Sequence, residues 1–546
     1  MKRRIHWKII FSLTTLLLFS VLFMVLYIDL MKLPDSGFSR GIELIQFDIT
    51  GDYEDYYAKN TFIVPEADSF LLTYADSSSV TTMKFDASGE PLNALKLNTS
   101  ASVQNINGQR SVNEDSLNLF YKDRNQLFFE QSFSLKTGEP LRDAVLIVNN
   151  PRRAHLGSDH LLYANDHAIY LYYEGEHYKI SEANYIETLT SNHTGNRWYI
   201  TFTYYDQTAY RQKLVVMNEF MEPLKEVELQ KYVGSNSMIP SEIALFIHQN
   251  HYFSTTVLKD QKSGTNYVHM FDGPIDSSEQ FDTTKFTSKN YSLFPTYYLK
   301  NNRVMIAFSF NTSIGRVDIQ TSGGQFTNLV TSEVNEMSFN TLTNSIHPSI
   351  KPFFFELRTE PSSNKNQYLV FSEISKGQST LYLSSNHPEL IEKSLNIKSK
   401  EIINLLLTTL TTFMPLSYLG LILEVYILMP ILILVLIASM FYINWAERNG
   451  DKLLKVSILL HIIAKFIFVN SKIIGQTEKF ENFPFFIDTP AEVFGWGIAL
   501  TAIALYCFMD FSKRNKGTHY MKSYIFFNII DLIFFIMLYT PYLFLS

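Results

Sequence analysis

Two kinds of hydrophobic pattern divide this chain. Ile9 to Ile28 is a predominantly apolar run without a charge, and a helix of about twenty such residues spans the ~30 Å hydrocarbon core of a bilayer. From Ile402 the chain is again mostly apolar to its end. Between these parts no apolar run is long enough to cross. Short alternating stretches rich in Tyr, Phe, Val, Ile and Thr recur there instead, separated by Asn, Asp, Ser and Gly clusters, which is the period of half-buried strands. Tyr297 to Phe308 reads as strand, tight turn at Asn301-Asn302, and strand, and Trp198 to Tyr205 as another strand. The pattern predicts a membrane protein in three parts: residues 1–32 as a basic flank and transmembrane anchor, 33–400 as an all-β extracytoplasmic domain, and 401–546 as an interfacial helix and a transmembrane helical bundle.

Charge orients these parts. Met1 to Lys8 is basic and lacks an acid, which marks a cytoplasmic flank. The apolar run after it is longer than a signal-peptide core and no small-x-small cleavage site follows, so an uncleaved anchor is preferred to a signal peptide. Leu33-Pro34-Asp35-Ser36-Gly37 looks a little like a sorting signal but stands at the wrong end of the chain, and reads as a linker turn. Further spans are expected at Leu416–Ile443, Leu454–Ile474, Ala491–Phe511 and Tyr524–Leu545. Arg448, Lys452 and Lys455 flank one loop, and Lys513, Arg514, Lys516 and Lys522 fill another. A single crossing in the 402–443 block puts both loops in the cytoplasm, whereas two crossings would put both outside. Ile402–Met414 then lies at the outer leaflet. The expectation is a multi-pass plasma-membrane protein with a cytoplasmic N-terminus and an extracytoplasmic C-terminus. The loop with Glu478, Glu481 and Asp488 would face outside.

A repeat runs through the β-rich part. Met83-Lys84-Phe85-Asp86-Ala87-Ser88-Gly89-Glu90-Pro91-Leu92 matches Ser132-Phe133-Ser134-Leu135-Lys136-Thr137-Gly138-Glu139-Pro140-Leu141, and Glu222-Pro223-Leu224 returns after Val215-Val216-Met217-Asn218. Looser echoes fall at Met270 to Pro274 and Val317 to Gly324. Each reads as an inner strand, a polar turn and the next strand. A unit of roughly 40–50 residues with four short strands has the size of a propeller blade. The region resembles β-propellers in general, of the type whose blades end in an x-Asp-x-x-Gly-like turn. About 365 residues at that unit size give seven or eight blades; a pair of β-sandwiches is the competing reading. Both ends of such a ring meet, so its two connections to membrane helices would lie together, and the first helix would touch the later ones.

Composition narrows the partners. The formal net charge of -7 shows no basic excess, so nucleic acid is not an expected partner. The one cysteine, Cys507, sits in an apolar run, so the exported part has no disulfide or thiolate metal site. A large exported domain without cysteine suits a Gram-positive bacterium. Sequons such as Asn98-Thr99-Ser100 point the other way, but the motif arises readily by chance in a chain rich in Asn, Ser and Thr.

Candidate chemistry is sparse. His155, Asp159-His160, Asp166-His167 and Glu174-Gly175-Glu176-His177 form the densest polar cluster of the β region. His160, His167 and His177 are the residues there that could ligate zinc or manganese; the plain reading is a hairpin turn and solvated strand ends, and no metal is expected. No serine-hydrolase elbow, zincin motif or P-loop is present. Ser362-Ser363-Asn364-Lys365 has the Ser-x-x-Lys spacing but lies in a hydrophilic loop. In the apolar segments Glu424, His461, Lys465, Asn528 and Asp531 stand out. A charge at mid-helix costs at least ~2.5–3.5 kcal/mol and needs a partner or a wet cavity. His461 and Lys465 share a helix face at i, i+4, and His461 and Asp531 are expected at similar depth, with Glu424 at the height of Lys465. Interhelical pairing is favoured over a proton or substrate pathway.

The function expected is that of a membrane-anchored binding or assembly protein, an accessory component of a larger membrane complex. Its partner would be another membrane protein or a cell-surface ligand, with the bilayer as its support. No cofactor is implied, and catalysis is not the favoured reading. The alternatives are a sensor of an extracellular ligand, or an intramembrane enzyme or carrier for a lipid-linked substrate.

Overall fold

The structure, a computed structural model, describes residues 6–31, 33–48, 60–76, 79–99, 103–111, 115–232, 237–275, 282–288, 293–311, 327–334, 340–342, 352–358, 365–375, 378–396, 399, 402–403, 405–407, 409–410, 449–470, 489–514 and 520–543. One compact unit comprises Leu33–Thr312 and Phe326–Asn396, and a second includes Met1–Lys32 and Ile397–Ser546.

The first unit is a seven-bladed β-propeller: seven antiparallel sheets of four strands each. The first strand, β1 (Ile42–Asp48), is set apart from those that follow it. Blade 1 contains β2 (Thr61–Pro65), β3 (Ser69–Ala75), β4 (Val80–Asp86) and β5 (Pro91–Leu97). Blade 2 contains β6 (Val103–Arg110), β7 (Ser116–Asp123), β8 (Leu127–Ser134) and β9 (Val145–Asn149). Blade 3 contains β10 (Arg153–Leu156), β11 (His160–Ala164), β12 (Ala168–Tyr173) and β13 (Glu176–Glu182). Blade 4 runs from β14 (Ile186–Thr194) through β15 (Arg197–Tyr205) and β16 (Tyr210–Asn218) to β17 (Pro223–Tyr232). Blade 5 runs from β18 (Met238–His248) through β19 (His251–Asp260) and β20 (Asn266–Pro274) to β21 (Asp282–Ser288). Blade 6 is β22 (Thr296–Lys300), β23 (Arg303–Asn311), β24 (Thr327–Glu333) and β25 (Asn340–Thr341). Blade 7 has β26 (Phe353–Arg358), β27 (Lys365–Ser375) and β28 (Gln378–Ser385), and β1 completes it by pairing antiparallel with β28.

The period-two pattern explains the ring. Successive side chains of a strand point to opposite faces of its sheet, so each blade presents one apolar row to each neighbour. On β15, Trp198, Ile200 and Phe202 pack toward blade 3, while Tyr199 packs toward blade 5. Similar layers fill the other gaps, the closing one included: Phe70 and Phe85 of blade 1 meet Phe355, Tyr368 and Leu383 of blade 7. With strands hydrogen-bonded inside each blade and apolar layers between blades, the edges that remain are the short outer strands of the blades.

The Glu-Pro-Leu repeat marks the turn from the third to the fourth strand of a blade, not a turn after an inner strand. Asp86 Oδ1 accepts the backbone N–H of Ser88 and Glu90, each at 2.9 Å. Asn218 does the same for Phe220 and Glu222, at 3.0 and 2.9 Å. Gly138 has φ +76° and packs where a Cβ would run into the carbonyl oxygen of Lys96 on the previous blade, so only glycine suits it. The looser echo at Met270 to Pro274 lies inside β20 rather than at a turn, and the one at Val317 to Gly324 falls outside the described residues. The hairpin at Tyr297 to Phe308 is as expected, with Asn301 and Asn302 at φ 51° and 63° in its tight turn.

The helices whose bounds lie among the described residues are α1 (Trp7–Met31), α2 (Pro388–Ser394), which belongs to the propeller unit, and α3 (Gly450–Val469), α4 (Pro490–Arg514) and α5 (Tyr520–Leu543). Among the described residues three segments are long and apolar enough to cross a membrane, by length and composition: Trp7–Val25, Pro490–Arg514 and Lys522–Tyr539. The expected span at Leu454–Ile474 coincides with α3 over most of its length but is not among these. The expected span at Leu416–Ile443, the loop with Glu478, Glu481 and Asp488, and Ser362 to Asn364 lie outside the described residues.

Within the second unit α1 touches the later helices. Leu18 and Leu22 share one buried cluster with Val493, Leu500, Phe527 and Phe534. Asp510 Oδ2 accepts the Trp7 N–H at 3.1 Å and pairs with Arg514 at 2.8 Å. Trp7 also stands edge-on to Phe511 and Phe526. Thr489 and Glu492 form a reciprocal cap at the start of α4, with Pro490 in the first helical position, an arrangement that satisfies two otherwise orphaned N–H groups.

Candidate functional site

The polar residues of the helical unit converge. Asp531 on α5 is fully buried, and so, nearly, are His461 and Lys465 on α3. The i, i+4 spacing places both α3 side chains on the face toward α5. Lys465 Nζ donates to both carboxylate oxygens of Asp531, each at 2.8 Å, and His461 Nε2 lies 3.1 Å from Asp531 Oδ2. Thr501 on α4 completes the group: its hydroxyl accepts from Lys465 at 3.0 Å and donates to Asp531 Oδ1 at 3.2 Å. The lysine ammonium also stands 5.5 Å from the centre of the Phe535 ring, a favourable cation–π position.

His461 and Asp531, expected at similar depth, are in contact. Lys465 joins the same carboxylate; the height match suggested for Glu424 lies outside the described residues. Asn528 stands apart from the cluster's hydrogen bonds, with its Nδ2 bonded back to the Tyr524 carbonyl at 2.9 Å. Thr501 was not legible in the sequence, because a threonine in an apolar helix carries no charge to mark it. The nearest signal is that Asp531 has more acceptor sites than one lysine can fill.

Chemically, the cluster holds one cation and one anion in mutual contact, with a hydroxyl and an imidazole attached. Such a pair is costly to assemble away from water and costly to break. It links three helices, and His461 beside Asp531 is a geometry in which a proton can be exchanged.

The propeller holds a second polar group. His160 is buried at the start of β11, with Nδ1 2.7 Å from Asp159 Oδ1 and Nε2 2.6 Å from Ser191 Oγ on the inner strand of blade 4. Trp198 stands edge-on at 4.9 Å, and His193 stacks on Trp198 at 4.1 Å. Burial pushes the Asp159 carboxyl up, but the hydrogen bond from His160 and the nearby His160 and His193 rings outweigh it and hold it below the ordinary range. This network ties blade 3 to blade 4. The three candidate ligands do not meet: His177 bonds the Tyr163 hydroxyl at 3.0 Å, and His167 pairs with Asn184 at 3.0 Å in the turn at the other end of the blade. Among the described residues no group of three or more His, Cys, Asp or Glu is placed to hold a metal ion.

No family model matches the chain, and no curated protein matches it. Solved structures do align with the propeller. The WD40 domain of coronin from Toxoplasma gondii aligns at 11% identity and TM-score 0.36, over 64% of this chain and 88% of that one. Sqt1 from Saccharomyces cerevisiae aligns at 8% identity and TM-score 0.36, over 63% and 99%. The polysaccharide lyase Uly1 aligns at 8% identity and TM-score 0.41, over 63% and 99%. Likeness at this level reaches no further than the fold, which this chain's own strand order establishes.

Proposed function

We propose that this chain is a membrane-anchored extracytoplasmic binding or assembly protein, an accessory component of a larger membrane complex. The observation that carries the reading is how the ring is sealed. Ser39 N–H donates to the Ser385 carbonyl at 2.7 Å, Ser384 Oγ to the Ser39 carbonyl at 2.6 Å, and Arg40 to the Ser394 carbonyl at 3.1 Å. The ingoing and outgoing segments are thus stitched together, and the chain runs from both into segments with apolar helices. A propeller held at both ends in this way is a rigid platform, and platforms of this kind present ligand-sized or protein-sized surfaces.

The test is affinity purification of the tagged full-length protein in mild detergent, compared with a form lacking residues 33–396. A stoichiometric membrane partner retained by both forms supports the assembly role, whereas a solitary protein in both refutes it. The buried Lys465–Asp531–His461–Thr501 group favours a second reading, intramembrane chemistry or carriage of a lipid-linked substrate. Loss of activity at normal abundance in an Asp531 variant is the result that supports it.

A further inference from the structure

In six blades a connection joins the third strand to the fourth at one end of the ring. Blade 7 has no such connection: β28 leaves and β1 arrives at that position, because Ile42 pairs with Leu383 near the end of β28. Both ends of the propeller therefore emerge at the end of the ring that carries the third-to-fourth turns.

That end is also where the exposed apolar side chains are. Leu92, Leu141 and Leu224, the leucines of the three Glu-Pro-Leu repeats, are 57%, 55% and 53% exposed, and Phe220 in the blade 4 turn is 73% exposed. Val145 and Leu146 extend the patch along the outer strand of blade 2, and Leu395 lies on the outgoing segment. Among the described residues of the propeller, the only other exposed large apolar side chain is Tyr185, between β13 and β14 at the opposite end.

The backbone is built to display these leucines. Phe85 pairs with Pro91 and Lys84 with Asn93, so Leu92 is the extra residue of a bulge. Met217 pairs with Pro223 and Val216 with Lys225, so Leu224 occupies the same position in blade 4. In blade 2 Leu141 follows the Phe133–Pro140 bridge, its N–H bonded to the Ser132 carbonyl at 2.8 Å. A bulge on an outer strand re-aims a side chain away from the sheet. The preceding glutamates are each tied back: Glu90 pairs with Lys393, Glu139 accepts from Asn98, and Glu222 accepts from Asn218.

We infer that this end of the propeller rests on a lipid bilayer, with Leu92, Leu141, Leu224 and Phe220 inserted among neutral, zwitterionic headgroups. The occupant is lipid because the chain passes from this end, on both sides, into segments apolar enough to enter a membrane. Zwitterionic headgroups suit it because both signs of charge stand near each leucine: Glu90 with Lys393, Glu139 with Lys136, and Glu222 with Lys225. The attraction is hydrophobic and thus insensitive to salt. This inference rests on the proposed membrane anchoring.

The test places single cysteines at Leu92, Leu141 and Leu224, and at Arg124 in the turn at the opposite end, in the full chain carrying Cys507→Ala. The protein is reconstituted in phosphatidylcholine vesicles that contain a headgroup-region spin label, and a fluorophore is attached to each cysteine. Apolar side chains that enter the interface sit within ~5–10 Å of the headgroups, so quenching at the three leucine sites should exceed that at Arg124 by at least ~2-fold and persist in high salt. Equal quenching at all four sites overturns the inference. So does shielding of the leucine sites from aqueous iodide without lipid quenching, which would mean a second copy or another protein covers them. Extraction of the vesicles at alkaline pH separates the two levels: protein that washes off refutes the anchoring itself, whereas protein that stays embedded without quenching refutes only the resting face.

Discussion

The ion cluster in the helical unit can be weighed by removing its charges singly and together. Asp531 accepts hydrogen bonds from Lys465, Thr501 and His461 and has no exposure to solvent. Replacing it by leucine leaves the Lys465 ammonium buried with, among the described residues, Thr501 and the Phe535 ring as its partners. Stranding one member of a buried pair costs ~3–5 kcal/mol, and placing an unpaired charge at mid-helix costs at least ~2.5–3.5 kcal/mol. Both routes give a loss of about 3–4 kcal/mol for Asp531→Leu. Lys465→Met should cost less, because Thr501 and His461 still hold the carboxylate and His461 can carry a compensating proton. In the double variant no uncompensated charge remains, and its stability should return to within about 1 kcal/mol of the parent, since apolar replacement of a whole buried pair is often neutral or stabilising. The assay is unfolding of the purified chain in mixed micelles with a rising fraction of SDS, followed by helical circular dichroism. Singles as stable as the parent would refute the structural role of the pair. A double variant as unstable as the worse single would show that packing around the side chains, not their charges, holds the helices. A double variant that regains stability but loses partner binding or activity would assign the cluster a functional task.

Three further outcomes follow from the propeller. His269 is held down to about 4 from 6.5, by burial and by Lys285 across the strand pair. The unfolded chain therefore takes up a proton first, so stability is complete above pH 6.5 and falls as the pH drops from 6.5 to 4. His269→Phe, between Tyr232 and Phe271, should flatten urea midpoints over that window, and an unchanged slope would refute the assignment. Gly138→Ala should lower the urea midpoint by the equivalent of at least ~1–2 kcal/mol, because alanine pays for a positive φ and its Cβ meets the Lys96 carbonyl. Arg40→Ala should cost ~1.5–3 kcal/mol as a charged hydrogen-bond donor lost from a buried site. It should also speed proteolysis around residues 386–396, because the Ser394 carbonyl loses the guanidinium partner that ties the outgoing segment down.

Legibility differed with the type of interaction. The blade was readable because strand alternation and the Asp or Asn turn are local: Asp86 bonds Ser88 and Glu90, only two and four residues away. Placing that turn within the blade was not local, since the repeat alone does not say which two strands it joins. The pairing of β1 with β28 spans almost the whole ring, yet the need to bring the ends together followed from closure itself. The helical cluster was half legible. Spacing put His461 and Lys465 on one face and depth put Asp531 opposite, but Thr501 entered only through three-dimensional packing. Cross-blade polar contacts such as His160 to Ser191 depend on which inner strands are neighbours, and no periodicity in the sequence reports that.

The same local feature accounts for several parts of the design. The third-to-fourth turn recurs with a carboxylate or amide that caps it, and at two of the Pro-Leu steps a bulge exposes one leucine. The ring is cut open at this turn in blade 7, so the chain's ends share an end of the ring with the leucines. Had the cut fallen in the turn between second and third strands, the ends would emerge where Tyr185 is the only exposed large apolar side chain among the described residues. A propeller that merely floated on two tethers would gain nothing from apolar residues collected at the tethered end. Their collection there is explained if that end is in contact with something apolar, and the tethers limit what that can be.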